Sequence, residues 1–141
     1  MPKVHVVKLT IKNHTKFDLK GPTSWFDSGR VADGWDIPKE IPAGTEAIVE
    51  MYERDDALAG CSGYINYVIN DGIVTFAFSN PSVGSNKVGC GVNDRKVWDK
   101  MDDHSYKPFA QRFSINEVKF VANESCSGGK VNKADVELVA A

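Results

Sequence analysis

The chain has 141 residues, 42% hydrophobic and 26% charged, with a formal net charge of −2. That length can bury about 68% of the surface an unfolded chain exposes, enough for one core in a single domain over residues 1–141. The acidic balance and the scatter of Lys and Arg along the chain argue against a nucleic-acid binder or a polybasic membrane patch. No apolar run nears the roughly 18 residues of a membrane-spanning helix.

The first segment, VHVVKLTI at 4–11, places His5, Val7, Leu9 and Ile11 on one face of a strand and Val4, Val6, Lys8 and Thr10 on the other. No apolar core or small-residue cleavage site accompanies it, so synthesis without a secretory signal is expected. Asn13 then reverses the chain ahead of a short strand. Residues 20–44 hold Pro22, Pro38 and Pro42, four Gly, and the aromatics Trp25, Phe26 and Trp35; they read as an irregular connection. In 45–53 a strand puts Ala47, Val49 and Met51 on one face.

Two β-branched and aromatic runs then flank Asn70-Asp71-Gly72, the pattern of a tight hairpin. Val74, Phe76 and Phe78 share a face, and Pro81 ends the strand because it cannot donate to a ladder. The stretch FSNPSVGSNKVGCGV, 78–92, runs from that strand into what reads as a small, polar loop with one positive charge, Lys87. Residues 94–111 carry a weak helical signal, compatible with a loop holding one helical turn. Residues 112–124 read as one strand with Val118, Phe120 and Ala122 on a face, 125–130 as a turn, and 131–140 as a closing strand. Seven to nine short strands separated by turns predict an all-β, single-domain antiparallel β-sandwich.

Few residues point to reaction chemistry. Asp102, Asp103 and His104 are adjacent, but successive side chains point in different directions, so a solvated loop is expected and no metal. Asp55-Asp56 lacks the spaced acids of a calcium loop. Cys61, Cys90 and Cys126 match no zinc spacing and read as small buried thiols. A Cys–His pair formed only in space stays open, but no local nucleophile signature supports it. The Gly-containing 83–92 lacks the Gly-Lys-Ser/Thr of a phosphate loop. No catalytic residue and no cofactor are therefore assigned, and an enzyme is not expected.

The better leads are aromatic and polar. Trp25, Phe26 and Trp35 are either plugs closing one end of the sandwich or exposed anchors for a wet–apolar boundary such as a membrane surface. Ser85, Asn86 and Lys87 offer donors to a phosphate or a partner carboxylate, or else bond their own backbone in a structural turn.

Three stretches taken together resemble the aegerolysin family. They are TSWFDSGRVADGWD, with Ser24-Trp25 followed by Ala32-Asp33-Gly34; GCSGYINYVINDGIVTFAFSNP; and NPSVGSNK. The likeness covers residues 4–92 and the final strand ADVELV, and lies nearest the small aegerolysin-type components of bacterial binary insecticidal toxins. It implies a non-enzymatic β-sandwich that targets membrane lipid or a receptor, recruits a larger pore-forming protein, and allows homo-oligomerisation. It also implies synthesis in a bacterial cytoplasm followed by release. Where fungal members carry a Trp-rich strand end, this chain has Phe78-Ser79-Asn80-Pro81-Ser82, so the fungal lipid specificity does not carry over. An actinoporin-like pore former shares the sandwich but needs an N-terminal amphipathic segment, and strand character here begins at about residue 4. A carbohydrate-binding module is the remaining alternative.

Overall fold

The computed structural model describes residues 2–57 and 59–141. The described chain forms β1 (Val6–His14), β2 (Leu19–Ser28), β3 (Arg30–Val31), β4 (Glu40–Ile41), β5 (Thr45–Tyr52), β6 (Gly60–Ile69), β7 (Gly72–Pro81) and β8 (Lys87–Gly91). After these come a short helix, α1 (Asp94–Asp99), a 3-10 turn at His104–Tyr106, β9 (Phe109–Ile115), β10 (Val118–Ser125) and β11 (Val131–Ala140). The strands make two sheets, ordered β3-β5-β1-β11-β10-β9 and β4-β2-β6-β7-β8. Neighbours are antiparallel except β1 and β11, which pair in parallel from Val6 with Val131 to His14 with Val139. The fold is the β-sandwich expected from the alternation.

The core lies between the sheets. Val7, Leu9 and Ile11 of β1 and Val49 and Met51 of β5 meet Ile65, Tyr67, Phe76 and Phe78 of β6 and β7. The faces read from the sequence are the faces that are buried. The β6–β7 hairpin turns at Asn70 and Asp71, with φ of 47° and 59°. Two consecutive positive φ values match the right-handed twist of the flanking strands.

Three segments differ from the sequence reading. Residues 20–44 are not an irregular connection: β2 occupies their first third and pairs with β6. Gly21, at φ 54°, and Pro22 fall where the register shifts between Lys20 and Thr23, so the two strand breakers occupy a bulge and the strand continues past them. Residues 78–92 are non-strand only at 82–86 and 92, because Lys87–Gly91 is β8, paired with β7. Gly89 is needed there: a Cβ would stand 3.0 Å from Met101 and 3.3 Å from Val97, so its absence lets the α1 segment lie against the sheet. Residues 112–124 are a hairpin, β9 and β10, turning at Asn116 and Glu117 with φ of 47° and 71°.

Buried asparagines fasten the β7–β8 end to the other sheet. Asn80 donates to the carbonyls of Val6, at 2.9 Å, and Lys130, at 3.0 Å. Asn132 donates to Ser79 O at 3.0 Å and Lys87 O at 3.1 Å. Each amide thus ties the backbone of one sheet to the other, and Lys130 O also accepts the Val6 N–H at 2.8 Å.

Candidate functional site

The loop 82–86 is held at both ends and projects between them. Pro81 closes β7, and Gly84, at φ 106°, gives the turn a backbone path that other residues resist. Val83 at its tip is 89% exposed, by far the most exposed large apolar residue among those described. Asn86 sets the other end. Its side chain is only 4% exposed, and its amide donates to Ser127 O at 2.7 Å and Gly129 O at 3.1 Å.

Facing the loop is α1. Asn93 starts the helix by accepting the N–H of Lys96 on its side-chain oxygen. Val97 then packs on Tyr64 and Ala77, on the outer face of the second sheet. Trp98 meets Trp25 edge to face, with ring centroids 5.1 Å apart. Trp25 in turn lies 5.3 Å from the Tyr64 ring, and the Arg95 guanidinium sits 5.6 Å from the Trp25 ring. Such contacts hold an aromatic side chain in one orientation while leaving part of it in water.

Between the loop and α1 is an open cleft of about 390 Å³, lined by Ser79, Pro81, Val83, Ser85, Lys87, Trp98 and Asp99 among others. It offers one ammonium, two serine hydroxyls, one carboxylate, one indole and an exposed apolar tip. That combination suits an amphiphile with a phosphate and an apolar tail.

The residues singled out in the sequence divide. Ser85 and Lys87 share the cleft. Trp25 is a strand residue in β2 and supports Trp98 from behind. Phe26, also in β2, packs 5.7 Å from the Phe78 ring against the core, so it acts as a plug. Trp35 is 37% exposed and does not line this cleft. Asn86 corrects the expectation of a free donor, since its amide is already committed to two carbonyls. Sequence reasoning did not single out Val83, Trp98 or Asp99. The available signal was Trp98 itself, a tryptophan placed among charged residues in a segment too short for its helical pattern to show.

Elsewhere, Asp102 accepts the His104 N–H at 2.9 Å, and the His104 ring stacks on Phe109 with centroids 4.7 Å apart. Among the described residues no group of three or more His, Cys, Asp or Glu is placed to hold a metal. The three cysteines are free and buried. Burial pushes the Cys61 thiol up to about 12 and Cys126 to about 11, far from the thiolate range. Among the described residues, no helix is long and apolar enough to cross a membrane.

No protein-family model matches the sequence, and no curated protein does either. Solved structures do. A crystal structure of the lipid-binding protein Nakanori superimposes with a TM-score of 0.67 at 17% identity, covering 96% of this chain and 70% of that one. A crystal structure of IP-1A from Alcaligenes faecalis does so with a TM-score of 0.60 at 13% identity, covering 98% of this chain and 92% of that one. At these identities the likeness is one of fold: the chain is similar to both in its β-sandwich.

Proposed function

We propose that the protein docks on membrane lipid through the cleft between residues 82–86 and α1. It does so as the small, non-catalytic member of a binary insecticidal toxin whose larger partner forms the pore. The observation that carries the docking step is the placement of exposed Val83 beside Lys87 and Trp98. Val83 enters the acyl boundary, the Trp98 ring lies at the headgroup level, and Lys87 with Ser85 meets phosphate. The fold it shares with a lipid-binding protein supports the lipid class. The binary role rests on the resemblance of residues 4–92 to the aegerolysin-type toxin components. In this reading the chain is made in a bacterial cytoplasm, is released, and homo-oligomerises on the target membrane.

Co-sedimentation with liposomes of insect gut lipid, run beside dye release, tests the proposal. Binding without release is expected of a targeting component awaiting its partner. Release by the protein alone would point to a self-sufficient pore former, and absence of binding would remove the lipid reading in favour of a glycan or protein receptor.

A further inference from the structure

A second concave surface lies between the two sheet edges, β8 and β9, under α1. It encloses about 250 Å³ and shares no lining residue with the cleft described above. Its floor is apolar, from Val97, Phe109 and Phe113. Its charged lining is entirely basic: Lys96, Lys100 and Arg112, with no carboxylate. Among the described residues none of these three makes an ion pair, in a chain whose net charge is −2. Like charges gathered without counter-charges repel one another, so a carboxylate-bearing occupant gains what the free protein lacks.

The backbone adds direction. β9 pairs only with β10 and ends its sheet. Ile115 and Val118 flank the two-residue turn and so exchange both hydrogen bonds of their pair. Bonding then alternates along the ladder. Ala110, Arg112 and Ser114 therefore turn their N–H and C=O groups to the open edge. Phe109, Gln111 and Phe113 face inward, yet Gln111 is exposed, because β8 does not seal the sandwich at this margin.

We infer that the β9 edge receives an extended acidic segment of a partner protein as an added strand, with its inward carboxylates on Lys96 and Lys100. Lys96 and Lys100 are one helical turn apart, about 6 Å along a helix. Alternate residues of a strand are about 6.6 Å apart. Carboxylates at alternate positions thus have nearly the spacing of the two ammonium groups. Strand addition takes its affinity from main-chain bonds and its selectivity from side chains on one face, and this edge supplies both. A second copy of this chain is a poor occupant, because antiparallel pairing of two β9 edges about Arg112 sets the two guanidinium groups opposite each other.

The probe is a synthetic acetylated peptide alternating Glu and Thr, with a Lys-for-Glu peptide as control. Amide hydrogen exchange is read by NMR on the whole protein. The acidic peptide is expected to slow exchange at Ala110, Arg112 and Ser114 by about tenfold or more, and the basic peptide to leave it unchanged. Lys96→Glu combined with Lys100→Glu should abolish the protection. Ala110→Pro should do the same with thermal stability unchanged, because proline is tolerated at a solvent-facing edge. Three results would overturn the inference. They are equal protection by the basic peptide, protection that rises with protein concentration alone, and protection by phosphatidylserine vesicles but not by the peptide. Loss of liposome binding by the other cleft would leave the protection intact, so the two proposals fail separately.

Discussion

Glu124 in β10 is 2% exposed, and neither of its carboxyl oxygens has a hydrogen-bond partner among the described residues. Burial pushes its pKa up to about 8, so at neutral pH the folded protein holds it mostly protonated. The unfolded chain ionises it near the ordinary carboxyl value. Between those two values the folded state binds the extra proton, so stability falls as pH rises from about 4.5 to about 8 and then levels off. The span corresponds to a loss on the order of a few kcal/mol. Melting temperature should therefore decline across this window in the native protein, and Glu124→Gln should flatten that decline; an unchanged slope would show that Glu124 is not its source. Neighbouring residues in the 82–87 segment separate by role in the same way. Asn86 is buried and its amide bonds Ser127 O and Gly129 O, so Asn86→Ala removes both bonds and should cost about 1–3 kcal/mol in urea unfolding. Lys87→Glu sits on the exposed side and should leave stability unchanged. It should weaken binding to anionic vesicles by about fivefold or more, with the deficit shrinking as salt is raised.

At the scale of elements, the two hairpin turns explain what the sequence disclosed and what it hid. Asn70-Asp71-Gly72 announces itself because Asn and Asp tolerate positive φ and Gly prefers it. Asn116-Glu117 does the same job with a residue that pays for it: Glu117 adopts φ 71°. With no glycine to mark the reversal, residues 112–124 read as one strand. The turn is held from outside instead. Asn116 donates to Asn70 O at 2.9 Å, and Asn70 donates to Ile115 O at 3.0 Å, so the two turns brace each other at one end of the sandwich. Glu117→Gly should relieve the strain and raise stability by about 0.5–1 kcal/mol, measured as a shift of the urea midpoint at constant slope. The segment 20–28 was obscured for the opposite reason. Gly21 and Pro22 signal a break, and only the bulge opposite β6 shows that the strand resumes beyond them.

For the whole molecule, the faces marked in β1, β5, β7 and β10 made the sandwich legible, since each is turned to the core. The cleft was legible only in Ser85 and Lys87. Its remaining wall comes from α1, whose place over the outer face of the second sheet depends on long-range contacts with Trp25 and Tyr64 that no local pattern encodes. The same long-range character predicts slow folding, in the range of about milliseconds to seconds by stopped-flow tryptophan fluorescence, because most stabilising pairs close large loops. A microsecond phase carrying the whole amplitude would contradict this.

The parallel seam between β1 and β11 carries a biosynthetic consequence. β11 lies between β1 and β10, so β1 acquires its second neighbour only once residues 131–140 have left the ribosome. Until then β1–β5 and β9–β10 are separate parts of the first sheet, each with a bare edge where β11 will lie. Closure of the first sheet thus waits on β11. Stalling or truncation within the final ten residues of β11 leaves an adhesive intermediate in place of a smaller working domain, and a cell making this protein in quantity must shelter it through that interval.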